Sequence, residues 1–371
     1  MTVYIKKCPK TESFPFERWI RSDVNYSYID SFDEIKCTDF VIISKDDIDY
    51  SEGILYLFNI IVLEEYCEII KENIVNEYEY HHEFFYLKYQ LEISQNSSID
   101  TVISGNSYAV YGIENSMMDN SVNISIPSQD IYYSTRLIYK VLENNDYIKR
   151  IILIMPYNWF FSDLSKVKDP LEKSKLYKVY KPILGDVHNC VLLHPRRNYV
   201  YESNIFDVQR LLNDYITADM LSDFFNRNFD RESHAMRLWD DTTLRWNELM
   251  PDQKKKAALC RTQNNNTLIK RKNNYFSNSN IFREFVNDLY NKGISVISVV
   301  PPATLSYRSF YLNDFKDEYY YQMSLLDGKI KVYDMFSDDS FSDNDFVDMD
   351  HLNAIGAVKF TTKINEFLFE E

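Results

Sequence analysis

Apolar residues in the second part of the chain form two alternating patterns, short β-branched runs and longer stretches with helical spacing. The short runs lie at 99–104, 121–126, 149–155, 294–300 and 329–335. Helical patterns lie between or after them, at about 107–118, 128–145, 281–293, 311–326 and 354–369. Such an alternation is typical of a parallel sheet that is covered by helices on both faces. The sequence therefore predicts a doubly wound α/β domain, with a site at the carboxyl edge of its strands.

The first 95 residues have a different character. One buried strand is predicted at 38–44, whereas the apolar positions over 52–74 and 83–93 follow a helical pattern. We interpret 1–95 as a small α-rich or α/β appendage of unknown function, joined through a polar stretch to the domain at 99–371.

Residues 160–280 are rich in helix and loop signals and are interpreted as a helical insertion into that domain. The asparagine-rich part at 263–280 is predicted to be a solvated linker. Two arginines after a proline turn, Arg196 and Arg197, are candidates for binding an anionic group of a substrate.

Composition and charge narrow the classes of partner. The 371 residues are enough for two domains, or for one large α/β domain with an appendage. With 41 basic and 56 acidic side chains, the net charge of −15 disfavours nucleic acids and anionic membrane surfaces as partners. Aromatic residues reach 16 % of the chain, and some of these flat rings would suit the faces of a sugar.

The cysteines and the N-terminus indicate a cellular compartment. The five cysteines are scattered and odd in number, a pattern typical of free thiols in a reducing environment. The first residues lack the apolar core of a signal peptide. We therefore expect a cytoplasmic protein without membrane insertion.

A serine lies at the first predicted strand-to-helix junction, in the sequence Gly105-Asn106-Ser107. One interpretation is structural, with Gly105 closing the strand and Ser107 capping the helix that follows. In the other interpretation the turn displays the Ser107 hydroxyl for chemistry.

A carboxylate and an imidazole lie three residues apart before the last predicted helix, at Asp348 and His351. This spacing lets the carboxylate reach Nδ1 of the imidazole and leaves Nε2 to accept a proton from a serine. The same residues could instead only cap a helix. The pairing of this motif with the serine turn is more specific than either alone.

Together these motifs resemble the SGNH/GDSL hydrolase and acyltransferase superfamily, over about residues 99–371. The resemblance implies a flavodoxin-like three-layer fold, in which Ser107 is the nucleophile and Asp348 and His351 complete a catalytic triad. Asp350 has no counterpart in the family motif, and we expect it to be an ordinary surface carboxylate.

The resemblance also implies an oxyanion hole. Its donors would be the backbone amides of Ser107 and Ser125 and the side chain of Asn158. Ser125 stands where the family has a glycine, and Asn158 lies in a motif without the usual glycine and aspartate.

The implied activity is ester chemistry on O-acyl groups of a carbohydrate through an acyl-enzyme, with neither a metal nor a cofactor, and the expected acyl group is acetyl. One alternative is a cytoplasmic O-acetyltransferase that uses an acyl-CoA donor to modify a surface glycan. Another is a catalytically silent protein that binds carbohydrate or acts as a scaffold. The oligomeric state and the identities of the acyl group and sugar stay open.

Overall fold

The chain forms two compact units, and the described residues of each contain one parallel sheet. The computed structural model of the protein describes residues 2–14, 16, 25–33, 35, 40–47, 59–65, 82–84, 86–189 and 245–369. The described residues up to His82 belong to one unit and those from Glu83 onward belong to the other. Both sheets are parallel throughout their described strands, so the predicted α/β class is confirmed. Arg196 and Arg197 lie outside the described residues.

The first unit contains a four-stranded sheet in the order β2-β1-β3-β4. Its elements are β1 (Thr2–Lys6), α1 (Pro9–Ser13), β2 (Asn25–Ile29), β3 (Phe40–Ile43), a 3-10 turn at Lys45–Asp47 and β4 (Asn59–Val62).

The helical pattern predicted over 52–74 is wrong at residues 59–62. These residues form β4, and Ile60 and Ile61 pair with Val41 and Ile42 of β3. A short, continuous apolar run does not distinguish a buried strand from a buried helix by its periodicity. Three consecutive β-branched residues favour the strand.

The second unit contains a five-stranded sheet in the order β6-β5-β7-β8-β9. Its strands are β5 (Thr101–Gly105), β6 (Ser121–Asn123), β7 (Arg150–Ile154), β8 (Ser295–Val300) and β9 (Lys331–Asp334). All five predicted strands are therefore present. The chain continues from β5 to β6 on one side and returns to β7 on the other, so the strand order reverses beside β5. This reversal is the place where parallel sheets of this kind bind ligands.

Helices connect these strands. A helical segment at 86–93 precedes β5. The others are α2 (Ser107–Gly112), α3 (Ile131–Leu142), α4 (Pro170–Lys175), α5 (Lys181–Leu184), α6 (Pro251–Asn266), α7 (Lys272–Asn291), α8 (Leu305–Arg308), α9 (Asn313–Ser324) and α10 (Ala354–Phe369). Short 3-10 turns lie at Asn115–Met117, Tyr157–Phe161, Leu164–Lys166, Trp246–Glu248, Thr267–Lys270 and Asp343–Asp345, and a π turn lies at Leu176–Tyr180. Among the residues described, none of the helices has the length and apolarity to cross a membrane.

The second sheet lies between two helical layers, as neighbouring residues of β8 show. Val299 belongs to a buried cluster with Ala109 of α2 and Phe360 of α10. The preceding residue, Ser298, shares a 2.7 Å hydrogen bond with the hydroxyl of Tyr319 on α9. Because successive side chains of a strand point to opposite faces, α2 and α10 cover one face and α9 covers the other.

The prediction of a solvated linker at 263–280 is wrong, because α6 and α7 continue through most of it. Asn278 of α7 is buried and donates to the carbonyls of Phe160 and Ser162, at 2.9 and 2.7 Å. Asn274 donates similarly to the Phe161 carbonyl. Buried carbonyls need donors, and these asparagines supply them for the segment after β7.

The start of α10 packs closely against the segment before it. The backbone amide of Asn353 donates to the Asp345 carbonyl at 3.0 Å. The side-chain oxygen of Asn353 accepts from the backbone amide of Gly356, also at 3.0 Å. A Cβ on Gly356 would overlap that same Asp345 carbonyl. Glycine is thus required in this helix for a close backbone contact.

We expect Gly356→Ala to lower the free energy of unfolding by about 2 kcal/mol, because the added methyl overpacks this contact. In an exposed helix position the same substitution would instead raise the stability by about 1 kcal/mol. Val358→Ala, at an exposed position of the same helix, is the control and should not destabilise the protein. Urea unfolding of both variants measures the difference, and an unchanged or raised stability of Gly356→Ala would contradict the contact.

Candidate active site

The strand β5 and the helix α2 are joined by a tight turn. A Cβ on Gly105 would lie 2.8 Å from the Ala109 Cβ and 2.9 Å from the Ile154 carbonyl oxygen, so only glycine fits there without displacement. Asn106 is the N-cap of α2, and its side chain accepts from the Tyr108 amide at 3.1 Å. Ser107 therefore does not cap the helix. Its hydroxyl is left for another partner.

The Asp348 carboxylate closes its own loop and holds an imidazole. Its Oδ1 accepts from the backbone amides of Asp350 and His351, at 2.9 and 2.7 Å. Its Oδ2 lies 2.8 Å from Nδ1 of His351. The loop is fixed further by a hydrogen bond from the Val347 amide to the His351 carbonyl and by Thr304, which donates to the Met349 carbonyl. The predicted contact between Asp348 and His351 is present.

Nε2 of His351 lies 2.8 Å from Oγ of Ser107, although the two residues are 244 positions apart in the chain. With the Nδ1 proton donated to Asp348, Nε2 accepts the hydroxyl proton of Ser107. The structure thus joins Ser107, His351 and Asp348 in one hydrogen-bonded series. It lies at the carboxyl edge of β5, where the strand order reverses.

Two tyrosines of α2 flank the imidazole. The Tyr108 ring stacks on His351 with centroids 5.1 Å apart, and the Tyr111 ring lies 4.8 Å away at a tilt. His351 is only 8 % exposed as a result. The rings restrict the imidazole to the plane in which its two nitrogens face Asp348 and Ser107.

The charges of the site support an ionised Asp348 and a basic His351. Burial opposes both charged forms, but the charge of His351 and its hydrogen bonds hold the pKa of Asp348 below its ordinary value of 3.8. Burial likewise opposes the imidazolium, and the negative charges of Asp348 and Asp350 outweigh it, raising the pKa of His351 above 6.5.

Asp350 is not the surface carboxylate that the sequence suggested. Its side chain is 0 % exposed, and its Oδ2 accepts from the Tyr108 hydroxyl at 2.7 Å and from Nε of Arg261 at 3.1 Å. The surface position was expected because Asp350 is the immediate neighbour of His351 and has no counterpart in the family motif, but the tight turn at Asp348 directs Asp350 inward. Arg261 was not predicted, because it comes from α6, 89 positions away in the chain, and no local motif marks it.

The predicted oxyanion donors lie at the same edge of the sheet. The Ser125 amide, two residues after β6, already donates to the side-chain oxygen of Asn123 at 3.2 Å. Asn158 lies in the 3-10 turn after β7 and is nearly buried, with its backbone amide hydrogen-bonded to Tyr311. Their roles as oxyanion donors stay predictions.

Asp348, Asp350 and His351 also form a cluster of three side chains that could bind a metal ion, with ligand atoms within 4.8 Å of one another. Their atoms have other partners, however. Both oxygens of Asp348 accept hydrogen bonds within the loop, and Oδ2 of Asp350 is paired with a guanidinium. A permanent cation beside the cluster opposes binding of a second one, so we assign no metal to it.

Comparison of the chain with protein-family models and with curated proteins gave no match in either case. The chemistry of the site has to be inferred from its geometry.

We expect the Asp348–His351 pair to stabilise the fold most between pH 3.8 and 6.5, the ordinary pKa values of the two groups. Because the pKa of Asp348 is lowered on folding, its contribution is lost as the pH falls through the folded value. Because the pKa of His351 is raised, its contribution is lost as the pH rises through the folded value.

Urea unfolding of the protein and of His351→Gln at a series of pH values measures this contribution as a difference in free energy. The difference should be greatest inside the window and should shrink on both sides of it. A difference that keeps growing in alkali would show that the ion pair is not its source.

Proposed function

We propose that the protein is a serine esterase or acyltransferase of the SGNH/GDSL type, which acts on O-acyl groups of a carbohydrate. The observation that carries the proposal is the series of 2.8 Å contacts from Ser107 through His351 to Asp348. Three properties strengthen it: the imidazole is nearly buried, its neighbours favour its role as a base, and the serine hydroxyl is not used for capping.

In the first half of the proposed reaction, Oγ of Ser107 attacks the ester carbonyl carbon while its proton passes to Nε2 of His351. The carbonyl oxygen becomes an oxyanion. When the tetrahedral intermediate collapses, the bond to the alcohol oxygen breaks, and that oxygen takes the proton back from Nε2. The product alcohol leaves, and the acyl group stays on Ser107.

In the second half, a water molecule or an acceptor hydroxyl attacks the acyl-enzyme and gives its proton to Nε2. Collapse of the second intermediate releases the acid or the new ester and returns the proton to Oγ. Asp348 stays ionised throughout and holds the Nδ1 proton, which keeps the reactive lone pair on Nε2.

The oxyanion would be stabilised by the Ser107 amide, the Asn158 side chain and the Ser125 amide. Each donor of this kind is typically worth roughly 3–4 kcal/mol in the transition state. Ser107 and Asn158 are the better candidates of the three. The Ser125 amide would first have to leave its partner Asn123.

The choice between hydrolysis and transfer depends on the acceptor, because both reactions use the same acyl-enzyme. Hydrolysis is the simpler proposal, since water is always a competent acceptor. In the alternative, the protein is an O-acetyltransferase that takes an acyl group from acyl-CoA in the cytoplasm. Incubation with acetyl-CoA distinguishes them, since a transferase would form an acetyl-enzyme and release free CoA thiol.

We expect a fluorophosphonate probe to label the protein at Ser107, because the probe reacts with serines that a base activates. Ser107→Ala should lose both the label and nearly all hydrolysis of p-nitrophenyl acetate. Ser116→Ala, on the same β5–β6 connection and outside the triad, is the control and should keep both. A folded wild-type protein that takes up no probe would favour the silent carbohydrate-binding alternative.

We expect Asn158→Ala to reduce kcat by about 10²-fold to 10³-fold with a smaller effect on KM, because it removes a donor to the transition state. Asn158→Asp, which has the same shape but no donor, should lose at least as much. Asn247→Ala, at an exposed asparagine, is the control. Steady-state hydrolysis of a short acyl ester measures both constants. A rise in KM of that size with an unchanged kcat would show that Asn158 is not an oxyanion donor.

A further inference from the structure

A second carboxylate lies against the candidate general base. The side chain of Asp350 is 0 % exposed, as buried as any in the core. Carboxylates are almost never fully buried unless they are paired, because the charged form loses its hydration. The two oxygens of Asp350 differ in their hydrogen bonding, and this difference indicates a role for the residue in the site.

One oxygen of Asp350 is fully engaged and the other is not. Oδ2 accepts from the Tyr108 hydroxyl at 2.7 Å and from Nε of Arg261 at 3.1 Å. Oδ1 is buried and has no hydrogen-bond partner among the described residues. It lies 3.6 Å from Nδ1 of His351, the atom that Asp348 contacts at 2.8 Å. Two carboxylates therefore face the same nitrogen, one in a hydrogen bond and one just beyond that distance.

The other charged and titratable groups around His351 have clear partners. Arg261 of α6 is the one cation facing Asp350 in the described residues, and its position is set by that carboxylate. Tyr108 and Tyr111 of α2 supply rings. Tyr307 of α8 has a raised pKa, because it is buried and near Asp350, and it accepts from Asn265 of α6. Neither Tyr108 nor Tyr307 ionises near neutral pH, so the charge balance at Nδ1 is set by two aspartates and one arginine.

We propose that Asp350 is a positioning residue of the active site that acts through His351. Its carboxylate places a second negative charge beside the imidazolium that forms when Ser107 gives up its proton, and Arg261 limits the effect of that charge. The inference rests on the proposed function, because it assumes that His351 is the base. Asp348 fixes the tautomer, whereas Asp350 and Arg261 together set the pH at which the imidazole becomes neutral and active. The engaged oxygen anchors the carboxylate, which leaves the unpaired oxygen directed at the nitrogen.

The charges of Asp350 and Arg261 shift the pKa of His351 in opposite directions. Asp350→Asn removes a negative charge beside the imidazolium, so the pKa of His351 falls and the acidic limb of kcat/KM moves to lower pH by about one unit. Arg261→Met removes a positive charge, so the limb moves to higher pH. A group with only a structural role would reduce activity or stability, but it would not displace the limb in opposite directions in the two variants.

Arg261→Met leaves a buried carboxylate without its cation and is the variant at risk of misfolding. The double variant Asp350→Asn, Arg261→Met removes both charges, and its limb should lie between those of the single variants. Lys254→Met is the matched control. It removes a cation from the same helix, where Lys254 pairs with Asp343 at 2.8 Å, and it should leave the limb in place.

NMR titration of the His351 imidazole in the Ser107→Ala background tests the inference without any turnover, with His351→Gln used to assign the signal. We expect the imidazole pKa to fall in Asp350→Asn and to rise in Arg261→Met. Unshifted values, or shifts of one sign in both variants, would overturn the inference even if the protein is an esterase. A protein that shows the expected shifts but hydrolyses no ester would instead contradict the proposed function.

Discussion

Both oxygens of the Asp348 carboxylate are committed, and the geometry of the site depends on that arrangement. One oxygen accepts two successive backbone amides and so forms the turn that carries His351, while the other holds Nδ1 of the imidazole. Loss of the first would remove two hydrogen bonds from the turn, and loss of the second would remove the partner that orients Nδ1 of the ring. A single side chain therefore holds both the backbone turn and the His351 imidazole, which is why the spacing of three residues matters.

The rest of the second unit brings that turn to the serine. The five-stranded sheet places Ser107 where the strand order reverses, and α2 and α10 pack on the same face of the sheet. Glycines permit the two closest approaches, Gly105 between β5 and β7 and Gly356 between α10 and the preceding segment. Since protein interiors are close-packed, small changes at these contacts would move the hydroxyl away from the imidazole.

Several polar side chains of the second unit that were predicted to face solvent are buried and hydrogen-bonded inside the protein. Asn274 and Asn278 satisfy carbonyls of the segment after β7, and Asp350 joins Arg261 and Tyr108 beside the His351 imidazole. Buried polar groups are tolerated when they are hydrogen-bonded. Such partners are distant in sequence, so a window of neighbouring residues gives no sign of them.

The sequence by itself determined the α/β class, the five strands of the second sheet and the two motifs that hold Ser107, Asp348 and His351. These features follow from local patterns: runs of β-branched residues, a glycine before a serine, and an aspartate three residues before a histidine. Only the tertiary structure decided that 59–62 is a strand, that 263–280 is largely helical and that Asp350 is buried. It also decided that Asn106 caps α2, leaving the Ser107 hydroxyl to His351. The Asn106 cap itself is a local contact, whereas the hydrogen bond between Ser107 and His351 joins residues 244 positions apart. In the other cases the deciding contact joins residues that are distant in sequence, whether in a neighbouring strand, at a carbonyl of another segment or at a guanidinium from α6. The free energy of burial and pairing there outweighs the local preference of the chain.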